Sequence, residues 1–366
     1  KRRRRKRGLM EDPAKRIFIN ERVCEGCGDC SVKSNCLSVT PIETAFGRKR
    51  KIDQSSCNKD FSCINGFCPS FVSVHGGTLK KIRPSAKAEN LMDHLIDPRL
   101  PSLEKPFRIF LTGVGGTGVV TVGAILGMAS HLEGKGCSIV DMTRLAQKGG
   151  AVVSHIRIAR RAEDIHDTRI YEGEADLIFG CDIVVTGNPH TLNKIIKGKT
   201  SVLVNENQSI TGHFIHNPDY NFHHKTLKKD ILESAGKDKV DFIDALRLAT
   251  GLLGDSITSN MFMVGYAYQK GLIPVSHEAI EKAIEMNNVA VSLNIQAFRW
   301  GRYAVLDLKT VERAAGIDID EKLYPIPTSF EDIVAHRKKF FMQLIINRFF
   351  YFREVASKAH SSTNAK

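Results

Sequence analysis

Cysteine is almost missing from this 366-residue chain outside one short stretch: seven of the nine lie between Cys24 and Cys68, and the other two are Cys137 and Cys181. Long apolar runs are missing too. The longest uncharged one near the C-terminus, Phe340 to Asn347, is far below the roughly 20 residues that span a bilayer, so no membrane partner is expected. Nothing at the N-terminus has the pattern of a secretory signal peptide, and an odd cysteine number does not suit a disulfide framework. A reducing, cytoplasmic compartment is the expectation. The thirteen histidines are scattered, and His223-His224 lacks companions at ligand spacing, which argues against a histidine metal site.

Acidic residues are outnumbered, 40 against 53 Lys and Arg, for a formal charge of +13. Lys1 to Arg7 carries seven of those positives and leaves +6 for the rest, so residues 1–15 read as a basic linker. No RNA-binding aromatic signature or DNA-reading helix accompanies the run, so no nucleic-acid partner is expected. Arg48-Lys49-Arg50-Lys51 reads either as a docking face for an acidic electron carrier or as a solvated hairpin. The first residue is not Met, and a piece of a longer polypeptide is expected.

What the chain does have is the spacing Cys24-x2-Cys27-x2-Cys30-x5-Cys36, then Cys57-x5-Cys63-x4-Cys68-Pro69. Three thiols one tight turn apart let a single loop wrap three corners of an iron cube, and a distant Cys followed by Pro supplies the fourth. In two-cluster bacterial ferredoxins the fourth Cys of each run ligates the other cluster. This assigns Cys24, Cys27, Cys30 and Cys68 to one 4Fe-4S cluster, and Cys36, Cys57 and Cys63 to a second. An ordinary run would have a cysteine three residues after Cys57, where this chain has Asp60. A carboxylate is a harder, more labile donor to iron than a thiolate. Asp60 is therefore either the fourth ligand of the second cluster or a turn residue beside a 3Fe-4S or degenerate one. Structural zinc also uses Cys-x2-Cys pairs, but three thiols at successive two-residue gaps ahead of Cys-Pro are unusual for it.

Residues 16–83 read as a small ferredoxin-like α+β iron-sulfur domain, with strands at Ile17 to Ile19 and Phe71 to Val74, a turn at Gly47, and clusters in place of a large core. Pro84, Pro98, Pro101 and Pro106 mark 84–106 as a linker. Residues 107–304 read as a doubly wound, mostly parallel α/β domain. Its elements are a buried strand Arg108 to Thr112, an apolar helix Val119 to Leu132, and strands at Ser138 to Val140, Ala151 to Ile158, Leu177 to Phe179, Ile183 to Thr186 and Ser201 to Val204. The loop Gly113-x-Gly115-Gly116-x-Gly118 lets amides at a helix N-terminus approach a phosphate or a partner backbone. Asp141 follows at about the 20-residue offset of a Rossmann acid. Lys148, in Gln147-Lys148-Gly149-Gly150, lies where open α/β sheets take ligands, and with Gly113, Gly115, Gly116 and Gly118 forms a candidate cofactor-binding set. A packing loop and a surface lysine are the plainer alternatives. Gly254-Asp255-Ser256 with Asn287-Asn288 departs from a thiamine diphosphate magnesium motif and counts as coincidence. Cys137 and Cys181 adjoin apolar strands and read as small buried residues. In residues 305–366, the start of a helical C-terminal region, Ser329 caps a helix running from Phe330 to Ala359, whose apolar face needs a partner.

Several stretches carry a family resemblance: Val23-Cys24-Glu25-Gly26-Cys27-Gly28-Asp29-Cys30, Ile52-Asp53-Gln54-Ser55-Ser56-Cys57-Asn58-Lys59-Asp60, Gly66-Phe67-Cys68-Pro69 and Thr112-Gly113-Val114-Gly115-Gly116-Thr117-Gly118. Leu145-Ala146-Gln147-Lys148-Gly149-Gly150, Asn260-Met261-Phe262-Met263 and Ala297-Phe298-Arg299-Trp300-Gly301-Arg302 extend it over nearly the whole chain. The sequence resembles the fused bacterial indolepyruvate ferredoxin oxidoreductases, with Arg144 as a departure where Gly is expected. The resemblance implies oxidative decarboxylation of an aryl 2-oxoacid by thiamine diphosphate and Mg. Coenzyme A would take the acyl group and external ferredoxin the electrons. The thiamine-binding domains have no counterpart in this sequence and would be the remainder of the same polypeptide, in a homo-oligomer. The α/β domain resembles the family's gamma-type domain. Alone, the chain is expected to carry electrons without turning over substrate.

Two other readings stand beside this one. An iron-sulfur NAD-binding protein would use the glycine loop for dinucleotide, although no flavin motif supplies the needed intermediary. A zinc-containing nucleic-acid binder would use the cysteines and the basic runs.

Overall fold

The computed structural model describes residues 9–66, 68–77, 95–116, 118–143, 150–206, 223–317 and 329–343, with residues 4, 5, 217, 220, 327 and 345. Lys148 and Arg144 lie outside them.

The cysteine-bearing region has two small antiparallel sheets. Strand β1 (Lys15–Ile19) pairs with β4 (Phe71–His75), Ile19 opposite Phe71. Strand β2 (Val39–Thr44) pairs with β3 (Gly47–Ile52), Val39 opposite Ile52. A short helix α1 (Asp29–Ser34) follows the first cysteine loop. Ile17, Ile19, Val39 and Ile52 form a core with Cys24, and Cys30, Cys36, Cys57 and Cys63 pack against it. Four aliphatic side chains bury little area, so the core of this region is small.

The large sheet has the order β10-β9-β8-β5-β7-β6. Its strands are β5 (Phe107–Val114), β6 (Gly136–Thr143), β7 (Ala151–Ala159), β8 (Leu177–Gly180), β9 (Ser201–Asn205) and β10 (Val240–Ile243). β5, β8, β9 and β10 run parallel, while β7 is antiparallel to both β5 and β6. Strand alternation sends Ile109, Leu111, Leu177, Phe179 and Leu203 into one core and Phe110, Ile178, Val202 and Val204 into another. Both faces are therefore covered, as a doubly wound sheet requires. Helix α2 (Val119–Leu132) lies on the first face.

The stretch Ile183 to Thr186, expected as a strand from its β-branched residues, is instead a helical turn, α3 (Ile183–Thr186). The buried Asp182 carboxylate accepts from the Val185 amide at 2.9 Å and also from the Val114 amide, so it caps α3 and holds it to the end of β5. A cap that satisfies two buried donors outweighs a weak strand propensity. A second short helix, α4 (Pro189–Leu192), follows directly, and α5 (His224–Ala235) precedes β10. Helices α6 (Ala245–Leu253), α7 (Ser259–Gln269), α8 (His277–Asn287), α9 (Val291–Leu306) and α10 (Leu308–Ala314) complete the unit. Asp255 and Asn288 serve as helix caps.

Ser329 Oγ accepts from the Asp332 amide at 3.0 Å and caps a helical stretch over 330–343. Phe340 stacks edge-on to Phe46 at 4.7 Å, and Arg337 lies 4.1 Å above the same ring. The turn of the β2–β3 hairpin therefore abuts this helix. Among the described residues no helix is long and apolar enough to cross a membrane.

Candidate metal centre

The seven cysteines form no disulfide, and two loops of the same shape present five of them, Cys24, Cys27, Cys30, Cys57 and Cys63. In the first, Gly26 and Gly28 take positive φ, +80° and +85°, two and four residues after Cys24. In the second, Lys59 and Phe61 take φ of +49° and +62° at the same offsets from Cys57. The Gly26 amide donates to Cys24 Sγ at 3.4 Å, and the Lys59 amide to Cys57 Sγ at 3.3 Å. Each loop then enters a helical turn, α1 in the first case and a 3-10 turn, Ser62–Ile64, in the second. By this correspondence Asp60 stands where the first loop has Cys27, and Cys63 where it has Cys30.

The thiols lie near enough to raise one another's pKa. Burial raises the Cys30 pKa, and neighbouring Cys24 and Cys27 add to the rise. Burial likewise pushes the Cys63 thiol up to about 11, with Cys36, then Cys57 and also Cys30 adding to the rise. Cys57 is raised by burial, by Cys36 and by the Asp60 carboxylate. A cation held among such thiols would favour their ionisation. Cys68 Sγ is 3.0 Å from Ser70 Oγ. The Ser70 carbonyl accepts from the Asn20 amide, and the Asn20 carbonyl from the Cys24 amide, so the backbone two residues after Cys68 is tied to the start of the first loop. Asp60 is exposed, and its Oδ1 accepts from the Ser62 amide at 3.2 Å and the Ser62 hydroxyl at 2.9 Å.

The sulfurs are spread more widely than a single ion needs. Among the described residues, the one trio of potential ligands with atoms all within 4.8 Å of one another is Asp97, His277 and Glu278. A tetrahedral zinc with bonds of about 2.3 Å would hold its sulfurs at about 3.8 Å. The Asp97 trio is already neutralised, since Asp97 Oδ1 accepts from Arg302 at 2.7 Å and from Tyr268 OH at 3.0 Å.

The four-residue basic run is not a uniformly exposed docking face. Arg48 pairs with Glu43 at 2.6 Å and donates to the Tyr220 carbonyl at 3.0 Å, while Arg50 is only 1% exposed. No sequence signal short of the strand's two-residue period separates Arg50 from its neighbours.

The glycine loop divides. Gly113 lies within β5, opposite Val152. Gly118, at φ +93°, opens α2, and a Cβ there would collide with Asn260 Nδ2, so this glycine makes room for a side chain of α7. Gly116 (φ +95°) has open space beside it, and the Gly115 amide donates to the Gly150 carbonyl at 2.8 Å. Asp141 differs from the ribose-binding expectation. Its strand β6 is separated from β5 by β7, and its Oδ1 is taken by the Ser154 hydroxyl. Burial raises the Cys137 thiol to about 11 and the Cys181 thiol further, in keeping with small inert residues.

The signature of the pyruvate ferredoxin/flavodoxin oxidoreductase family matches residues 108–304, more than half of the chain. The chain belongs to this family. It is 25% identical over 206 residues to the indolepyruvate oxidoreductase subunit IorB of Thermococcus kodakarensis, covering 56% of this chain and 98% of that protein. It is 29% identical over 180 residues to the pyruvate/ketoisovalerate oxidoreductases common subunit gamma of Pyrococcus furiosus, covering 47% and 82%. A solved pyruvate oxidoreductase subunit, PORC of Thermotoga maritima, aligns with a TM-score of 0.40 at 20% identity over 55% of this chain and 97% of that one. The α/β region is thus a gamma-type unit of the 2-oxoacid ferredoxin oxidoreductases. The matched residues begin at 108, so the cysteine region stands on its own geometry.

Proposed function

We propose that this chain is the electron-relay and gamma-type portion of an indolepyruvate ferredoxin oxidoreductase, with residues 16–83 as the relay domain and 107–304 as the gamma-type domain. The observation that carries the relay is the pair of cysteine loops with matching backbone conformation on one small core. Cys24, Cys27, Cys30 and Cys68 would hold one iron-sulfur cluster, and Cys36, Cys57, Asp60 and Cys63 the other. When bound, these groups supply one-electron transfer toward an external ferredoxin.

The chain's own residues supply the setting. Amides of Gly26 and Lys59 donate to ligand sulfurs, which raises a cluster's potential by stabilising its more negative state. Ile17, Ile19, Val39 and Ile52 exclude water from the inner side. In the α/β unit, the open space at Gly116, in the candidate set that also includes Gly113, Gly115, Gly118 and Lys148, would meet a phosphate-bearing cosubstrate such as coenzyme A. Thiamine diphosphate and Mg would belong to the remaining domains, together with the 2-oxoacid pocket. A relative named as an indolepyruvate oxidoreductase subunit supports the aryl substrate.

Iron, sulfide and zinc analysis with low-temperature electron paramagnetic resonance of the anaerobic, dithionite-reduced chain tests this reading. About eight irons, or about seven if the second cluster is 3Fe-4S, are expected. Zinc without iron would overturn it.

A further inference from the structure

Residues ahead of β1 close over the second cysteine loop. Arg5 Nη1 donates to the Asn58 carbonyl at 2.5 Å, and Arg5 Nε to the Glu11 carbonyl at 3.3 Å. The Asp12 carboxylate accepts from the Lys59 ammonium and, at 3.3 Å, from the Arg16 guanidinium, with Arg5 Nε 4.0 Å away. Lys15 Nζ stands 5.3 Å from the centre of the Phe61 ring, within cation–π range. Asn58, Lys59 and Phe61 thus each meet a residue of the segment 5–15. Gln54, three residues before Cys57, donates to the Ile17 carbonyl of β1 at 2.6 Å. The Lys59, Arg5 and Arg16 side chains are only 10%, 11% and 13% exposed, so their attraction to Asp12 is less screened than that of a free surface pair.

These contacts fall where the loop needs support. Lys59 and Phe61 are its two residues at positive φ, and the first loop has glycine at both matching places, where that conformation is free of Cβ strain. We propose that residues 5–15, most of the expected basic linker, form a clasp on the second cysteine loop. Arg5, Asp12 and Lys15 are positioning residues: they keep Lys59 and Phe61 in the left-handed form and so keep Cys57, Asp60 and Cys63 set for a metal. The inference rests on the iron-sulfur reading above and concerns residues that ligate nothing. It makes metal retention at the second loop, and not at the first, depend on the N-terminal segment.

The test compares the anaerobic full chain of wild type with Asp12→Asn and Asp12→Glu in two measurements. One is amide hydrogen exchange of residues 58–62 against 26–30, which needs no metal; the other is iron loss to a chelator, followed by the paramagnetic signal of each cluster. Asp12→Asn is expected to speed both exchange at 58–62 and iron loss from the second cluster about fivefold, the scale of a partly screened ion-pair network. Residues 26–30 and the first cluster should stay at wild-type rates, and Asp12→Glu, which keeps the charge, should stay close to wild type. Where Asp12→Asn fails to fold, Arg5→Gln, which removes the bond to Asn58 and leaves Asp12 in place, is read in the same way. Wild-type exchange at 58–62 in the charge-removing variant, or equal acceleration at both loops, would overturn the clasp. Absence of iron from the wild type would instead sink the iron-sulfur reading, and the exchange rates alone would then decide the clasp.

Discussion

The backbone amide of Lys59 donates to Cys57 Sγ at 3.3 Å with Lys59 at φ +49°. A left-handed conformation costs a non-glycine residue about 1 to 2 kcal/mol, and Phe61 carries the same cost two residues later. The Lys59 ammonium is fastened to Asp12, which helps hold the loop in this shape. The second loop thus keeps the backbone form of Gly26 and Gly28 without their glycines, and Asp60 stands in it at the place of Cys27.

Asp60→Cys is therefore expected to alter the paramagnetic spectrum of the second cluster and to slow loss of its iron to a chelator. Asp60→Asn keeps an oxygen for the Ser62 cap but loses the anionic donor, and should reduce the iron content of the second cluster alone. A spectrum unchanged in Asp60→Cys would leave Asp60 as a turn cap and nothing more.

Gly118 and Asn260 make a second pair. Gly118→Ala adds left-handed strain and a collision with the Asn260 amide, so a loss of about 2 kcal/mol or more is expected. Trp300, the one tryptophan and fully buried in α9, reports unfolding of the α/β unit in urea. Adding Asn260→Ala to Gly118→Ala should recover the collision but not the strain. Full stability in Gly118→Ala would refute the packing role of this glycine.

Elements with a plain period are legible in the amino-acid sequence. The helix Val119 to Leu132 and the strand beginning at Ala151 appear within a residue of their expected bounds, because each has a continuous apolar face and glycine at its edge. Where two local signals compete, the tertiary one decides. Ile183 to Thr186 has strand-forming side chains, yet Asp182 caps it as a helix. β7 follows β6 closely enough to form an antiparallel pair, which no propensity reveals. Strand β10 leaves little trace in the sequence, as Val240–Ile243 is only four residues long and carries an acidic residue. At the metal centre the cysteines are legible from spacing, but the inward turn of Arg50 is hidden among three other cations.

His155 gives the chain an acid-sensitive element. Burial, then the charges of Lys194, Arg169, His190 and Arg157, push its pKa down to about 4 from the ordinary 6.5, and its Nδ1 accepts from the Ile170 amide at 2.8 Å. The unfolded chain takes up this proton first, so the stabilisation is complete above about pH 6.5 and is lost as pH falls toward 4. At about 1.4 kcal/mol per unit, the loss is about 2 to 3 kcal/mol across that window. Urea unfolding read by Trp300 should show this slope in wild type and a flatter one in His155→Gln, whose amide oxygen can still accept from Ile170. Equal slopes would remove His155 from the account.

Helices α7 and α9 meet through Gly265 and Gly301 in a reciprocal contact: a Cβ on Gly265 would collide with the Phe298 carbonyl, and one on Gly301 with the Phe262 carbonyl. Both obstacles are backbone, so neither can rotate away. Gly→Ala inside a helix ordinarily stabilises by up to about 1 kcal/mol, and here the sign should reverse. Each single alanine is expected to cost about 2 kcal/mol or more by forcing the helices apart. The double variant should cost less than the two singles together, because the first separation already makes room for the second methyl. Strict additivity in urea unfolding would mean that each alanine is accommodated locally, without a shared displacement of the two helices.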